Sequence, residues 1–94
     1  MHEEAVLNDL RRKLIEVTSR EAVPRVSRVR LWVGALSHVS EEQLRRQWSR
    51  VVGGTVAQSA ALEVTASQDP TDPRAQGIVL QSIDVEENGS THAR

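Results

Sequence analysis

Val6, Leu7, Leu10, Leu14 and Val17 recur at three- and four-residue intervals, with Glu3, Glu4, Asn8, Asp9, Arg11, Arg12 and Lys13 between them. This spacing predicts an amphipathic helix whose acids lie at its amino end and whose bases follow, complementing the helix dipole. Pro24 closes the connection after it, because the residue before a proline is biased away from helix. From Val26 to Gly34 the chain is rich in β-branched residues, and Val29, Leu31 and Val33 alternate with Arg28, Arg30 and Trp32. That pattern predicts a strand with one buried face. Ala35 to Val39 lead into Ser40-Glu41-Glu42-Gln43, a capping box that starts a second helix. Leu44, Trp48 and Val51 or Val52 form its apolar stripe, Arg45, Arg46 and Arg50 lie opposite or flank it, and Gly53-Gly54 stop it.

Leu62, Val64 and Ala66 alternate with Glu63, Thr65 and Ser67 in a second strand. The order strand, helix, strand points to a right-handed crossover with parallel pairing. Gln68 to Gln76 hold two prolines and two aspartates without apolar periodicity, and so read as a loop. Ile78 to Val85 read as a third strand. Ile78 and Leu80 share one parity and Ile83 and Val85 the other, which a bulge near Ser82 would reconcile. Ninety-four residues suit one small domain with a thin core. The expected fold is therefore an α/β two-layer sandwich: a three-stranded mixed sheet with two helices on one face, in the order helix-strand-helix-strand-strand. The domain is expected to span residues 1–87, with 88–94 a disordered tail that has nothing to bury.

Composition removes several function classes. The chain has no cysteine, so disulfides, thiolate zinc sites and thiol catalysis are excluded. Twelve basic and thirteen acidic residues give a formal charge of −1, which argues against nucleic-acid binding, and the absence of Phe and Tyr removes base-stacking platforms. No long apolar run and no basic leader occur, so a cytoplasmic protein without a membrane span is expected. The histidines have no nucleophile at any motif spacing, and Gly53-Gly54 follow a helix where a phosphate loop would precede one. No enzymatic activity is expected.

The chemistry concentrates at Met1-His2-Glu3. A free α-amine at Met1, the His2 amide nitrogen and His2 Nδ1 can close fused five- and six-membered rings around a square-planar ion, and Glu3 can supply an oxygen as fourth donor. Ni(II) or Cu(II) fits that geometry best. On spacing alone, a solvated histidine at a chain end is the simpler account. His38, in the connection between strand and second helix, is a candidate extra ligand to be weighed against a solvated loop histidine. Trp48 reads as a core residue of the second helix. Trp32 has the opposite parity to Val29, Leu31 and Val33, which places it with Arg28 and Arg30 on the open face of the sheet. An aromatic flanked by arginines on a flat surface suits a partner-contact patch, for self-association in a homodimer or for another protein.

Several strings, in order, resemble the HypA/HybF family of hydrogenase nickel-incorporation proteins. They are Met1-His2-Glu3 with its amphipathic helix, Val29-Arg30-Leu31-Trp32-Val33-Gly34, Leu36-Ser37, and Val39-Ser40-Glu41-Glu42-Gln43-Leu44. Gly54-Thr55-Val56-Ala57 leading to Ala61-Leu62-Glu63-Val64, and Gln81-Ser82-Ile83-Asp84-Val85-Glu86, complete the set. The resemblance implies transient nickel binding by the Met1 amine, the His2 amide and imidazole, and Glu3. It also implies transfer towards a [NiFe]-hydrogenase large-subunit precursor with a partner GTPase. Members normally insert a zinc ribbon with two Cys-x-x-Cys pairs between the second and third strands, where this chain has only Gln68 to Gln76, so no structural zinc is expected. An acid that members commonly carry after the strand glycine is replaced by Ala35. The reading from the sequence is a nickel-binding accessory protein of hydrogenase maturation. The alternative is a metal-free adaptor of the same fold that docks a maturation partner or the hydrogenase precursor.

Overall fold

The computed structural model describes residues 2–86. Helix α1 (His2–Arg20) buries Leu7, Leu10 and Leu14 on one stripe and leaves Val6 and Val17 half-buried. Thr18 extends that stripe, a position the apolar pattern does not reveal. Its hydroxyl donates to the Leu14 carbonyl at 2.9 Å, which satisfies a polar group that is only 6% exposed. The helix ends before Pro24 is reached. Ala22 adopts φ 51°, the Val23 amide donates back to the Thr18 carbonyl and the Ala22 amide to Ser19, the paired pattern of a Schellman C-cap. Alanine stands where glycine would be unstrained.

Strand β1 (Val26–Val33) is central, and the sheet order is β2-β1-β3. Strand β2 (Ala61–Ala66) pairs with it in parallel from Arg28 opposite Ala61 to Val33 opposite Ala66, as a strand-helix-strand unit requires. Strand β3 (Ile78–Val85) pairs antiparallel. Leu31 faces Leu80 while Arg30 faces Ser82, so Gln81 is an extra residue, and the expected bulge lies beside Ser82. It brings Leu80 and Ile83 onto the same side despite their unlike parity. A second irregularity, at Ser27, was not legible in the sequence. It turns Val26 inward, where it is 1% exposed.

Helix α2 (Glu41–Val52) starts at the expected capping box. Ser40 Oγ accepts from the Gln43 amide at 3.1 Å, and Gln43 Oε1 accepts from the Ser40 amide at 2.9 Å. Val39 and Leu44, both fully buried, flank this cap as a hydrophobic staple that fixes the direction of the chain into the helix. Leu44, Val51 and Val52 join Leu7, Leu10 and Leu14 over Val29, Leu31 and Val33, so both helices cover one face of the sheet. Their contacts advance together. Glu3 meets Gln43, Glu4 pairs with Arg50 at 3.3 Å, and Arg11 reaches Val51 and Gly53, which means the helices run parallel and begin at the same end of the molecule.

Residues 67–77, between β2 and β3, form a run of turns seated on the exit of β1. The Gly34 amide donates to the Gly77 carbonyl at 2.9 Å and the Leu36 amide to Ala75 at 2.7 Å, while Ala75 is 3% exposed. Here Gly34 does more than end a strand. A Cβ on it would overlap the Ala75 carbonyl oxygen and stand 2.5 Å from the carbonyl carbon.

Candidate metal centre

The end of the molecule where both helices begin carries Glu3, Glu4, Ser40, Glu41, Glu42 and Gln43. Met1 and the His2 side chain lie outside the described residues, whereas the His2 backbone opens α1. A helix leaves its first four amide N–H groups without intrahelical acceptors, so the His2 nitrogen stands at a position where the helix makes no claim on it. Glu3 is half-buried, and its Oε1 accepts from Gln43 Nε2 at 3.5 Å. His38 is exposed in the β1–α2 connection. Among the described residues no group of three or more His, Asp or Glu side chains is clustered for a metal ion.

Three anchors hold α1 against α2 below this end. Gln43 takes Glu3, Arg50 takes Glu4, and Arg11 Nη1 donates to the carbonyls of Val51 at 2.9 Å, Gly53 at 2.8 Å and Arg50 at 3.3 Å. The Arg11 guanidinium thus satisfies the orphan carbonyls that close α2, with its charge at the negative end of that dipole. Periodicity assigns Arg11 only to a polar face, and its role depends on a partner forty residues away.

The opposite face of the sheet carries Arg28, Arg30 and Trp32, as parity predicts. Both arginines bind the same two acids. Arg28 meets Glu63 at 2.7 Å and Asp84 at 4.0 Å, and Arg30 meets Asp84 at 2.7 Å and Glu63 at 3.1 Å. The Asp84 carboxyl is held below the ordinary aspartate range chiefly by its hydrogen bond from Arg30, which outweighs the opposing effect of burial, with the charges of Arg30 and Arg28 adding smaller lowering effects. Trp32 is half-buried between Thr65 and Val79, and the Arg74 guanidinium lies 4.5 Å from its ring centroid. Asp72 grips that guanidinium in turn, at 3.2 and 3.3 Å. Sequence reasoning missed Arg74 because nothing in Gln68–Gln76 indicates that the loop folds back over the sheet.

Comparison with known proteins decides the family. Residues 1–71 match the family described as "HypA: Hydrogenase/urease nickel incorporation, metallochaperone, hypA". The chain belongs to the HypA family. It is similar to the hydrogenase maturation factor HypA of Rhizobium leguminosarum bv. viciae, 39% identical over 68% of the chain, and to that of Bradyrhizobium sp. strain ORS 278, 40% identical over 68%. The HypA of Dechloromonas aromatica is 35% identical over 70% of the chain. The chain spans 57–58% of the length of these relatives. The match takes in α1, β1, α2 and β2 and ends inside the 67–77 loop, and the chain has no cysteine with which to build a zinc-binding motif there. Among the described residues no helix is long and apolar enough to cross a membrane.

Proposed function

We propose that this protein binds Ni(II) transiently through the Met1 amine, the His2 amide and imidazole, and Glu3, and hands it over during [NiFe]-hydrogenase maturation in the cytoplasm. The observation that carries the reading is the family match running from residue 1, which takes in all three donor residues. The local chemistry supports it. Two five- and six-membered rings closed by nitrogen donors suit a square-planar ion, and Glu3 stands one residue further along the first turn. Coordination by an amide nitrogen displaces its proton, so affinity rises with pH.

Release is as important as capture for a carrier. The parallel helices turn two positive dipole ends towards the site, which disfavours a cation there by about 0.3–1 kcal/mol each, and Glu3, Glu4, Glu41 and Glu42 offset that effect. In this reading the receiving partners are a nickel-maturation GTPase and the hydrogenase large-subunit precursor, and the open sheet face around Trp32, Arg28 and Arg30 is where a protein partner or a second copy docks.

Isothermal titration with Ni(II) on untagged protein tests the proposal. Saturable one-to-one binding is expected in the parent, with at least a tenfold loss in His2→Ala and an unchanged melting curve, because position 2 lies outside the apolar stripe. If the parent takes up no nickel, or His2→Ala binds it equally well, the chelate is wrong and the metal-free adaptor becomes the better account.

A further inference from the structure

Gln43 is read from sequence as half of a capping box, and its Oε1 does accept from the Ser40 amide at 2.9 Å. That bond settles which way the side-chain amide faces, because a flipped amide would set NH2 against the Ser40 N–H. Nε2 is thereby aimed away from its own helix, and it donates to Glu3 Oε1 at 3.5 Å, across the α1–α2 seam. Both side chains are half-buried. The seam itself is clamped by the Glu4–Arg50 pair and by Arg11 on the carbonyls of Val51 and Gly53, so the rotation of α1 about its own axis is fixed below the first turn. We infer that Gln43 is a positioning residue for the Glu3 carboxylate, holding one oxygen across the seam and leaving the other available as the oxygen donor to nickel. This inference rests on the nickel reading above.

Hydrogen-bond partners of ligating groups typically alter metal affinity by about 10–100-fold. A contact of 3.5 Å between half-exposed groups belongs at or below the lower end, about 3–10-fold. Gln43→Met keeps the side-chain length and removes the donor; it also loses the Ser40 amide's acceptor, but the backbone amide at position 43 can still donate to Ser40 Oγ, so α2 keeps that half of its cap. The experiment is a double-mutant cycle of Ni(II) dissociation constants on the parent, Gln43→Met, Glu3→Ala and the double variant, with far-UV circular dichroism on all four. Glu3→Ala leaves three nitrogen donors and hence measurable binding. Gln43→Met is expected to weaken nickel binding about 3–10-fold when Glu3 is present and less than twofold when it is absent. Equal weakening in both backgrounds would mean that Gln43 acts on the fold at large, and no weakening in either would mean that it does not act; each overturns the inference while leaving the nickel reading in place. A parent that binds no nickel overturns both.

Discussion

Gly34→Ala should be among the most damaging single-methyl additions in this domain. The added Cβ overlaps the Ala75 carbonyl oxygen and meets its carbon at 2.5 Å, and both belong to backbone that cannot swing aside as a side-chain tip would. Relief requires the 67–77 turns to lift from β1, which strains the Gly34–Gly77 and Leu36–Ala75 hydrogen bonds and exposes Ala75. Overpacking costs about 1–3 kcal/mol and each hydrogen bond about 0.5–1.5 kcal/mol net, so a loss of about 3 kcal/mol is expected. In a domain of this size that lowers the melting temperature by roughly 12–24 °C. Gly54→Ala is the control. It has φ +77° but no atom within 4 Å of an added Cβ, so only left-handed backbone strain remains, about 1 kcal/mol. Urea unfolding followed by Trp fluorescence measures both. If Gly34→Ala is no less stable than Gly54→Ala, the loop is not seated on the strand as described.

Ala22→Gly should be neutral or stabilising by up to about 1 kcal/mol, since the C-cap of α1 already holds φ 51° there; a clear loss in the same urea assay would contradict the cap. Trp48→Ala should lose about 3 kcal/mol, at the low end for a large core truncation because the residue is only partly buried, and Trp48→Phe much less, since it also removes a buried indole N–H that has no acceptor. Trp32→Ala should lose about 1 kcal/mol, mainly its contact with Arg74, and the reverse ranking of Trp32 and Trp48 would show that the two sheet faces are misassigned. Asp84, Asp72 and Asp9 are held below the ordinary carboxylate range by Arg30, Arg74 and Arg12. Between those lowered values and the unfolded value of about 4 the unfolded chain binds more protons, so the stability these three carboxylates contribute is present above about pH 4 and is lost on further acidification. Melts that became more stable below pH 4 would refute this coupling.

Elements with a strong period were legible in the sequence, and so was the capping box that starts α2. Leu7, Leu10 and Leu14, the Ser40–Gln43 box and the alternation of Val29, Leu31 and Val33 each encode their structure within a few residues. The parity change between Leu80 and Ile83 was enough to place a bulge. What escaped depends on distant partners. Thr18 is buried through its own hydrogen bond, Arg11 closes a helix forty residues later, and Arg74 covers Trp32 from a loop with no periodicity. The candidate nickel donors were legible as chemistry, because Met1, His2 and Glu3 are adjacent in sequence. The link from Gln43 to Glu3 was not, since it requires knowing that the two helices run parallel.

The open face also bears on how the proposed docking works. Arg28 and Arg30 invite a reading as free cations, yet each is engaged by Glu63 and Asp84, and the four side chains balance in charge. An acidic partner would have to compete with ion pairs of 2.7 Å, and exposed pairs of this kind are worth only about 0–1 kcal/mol when exchanged for others. Long-range attraction is weak for the same reason, so association there should depend little on ionic strength. The apolar area that a partner can cover belongs to Trp32 and Val79, with Arg74 as a movable rim. The affinity of a contact proposed on this face would therefore centre on Trp32, with Arg28 and Arg30 already engaged by Glu63 and Asp84. This arrangement follows from the short 67–77 loop. Among the described residues it leaves the sheet face open except where Arg74 lies over Trp32, and the same loop secures the end of β1 through Gly34.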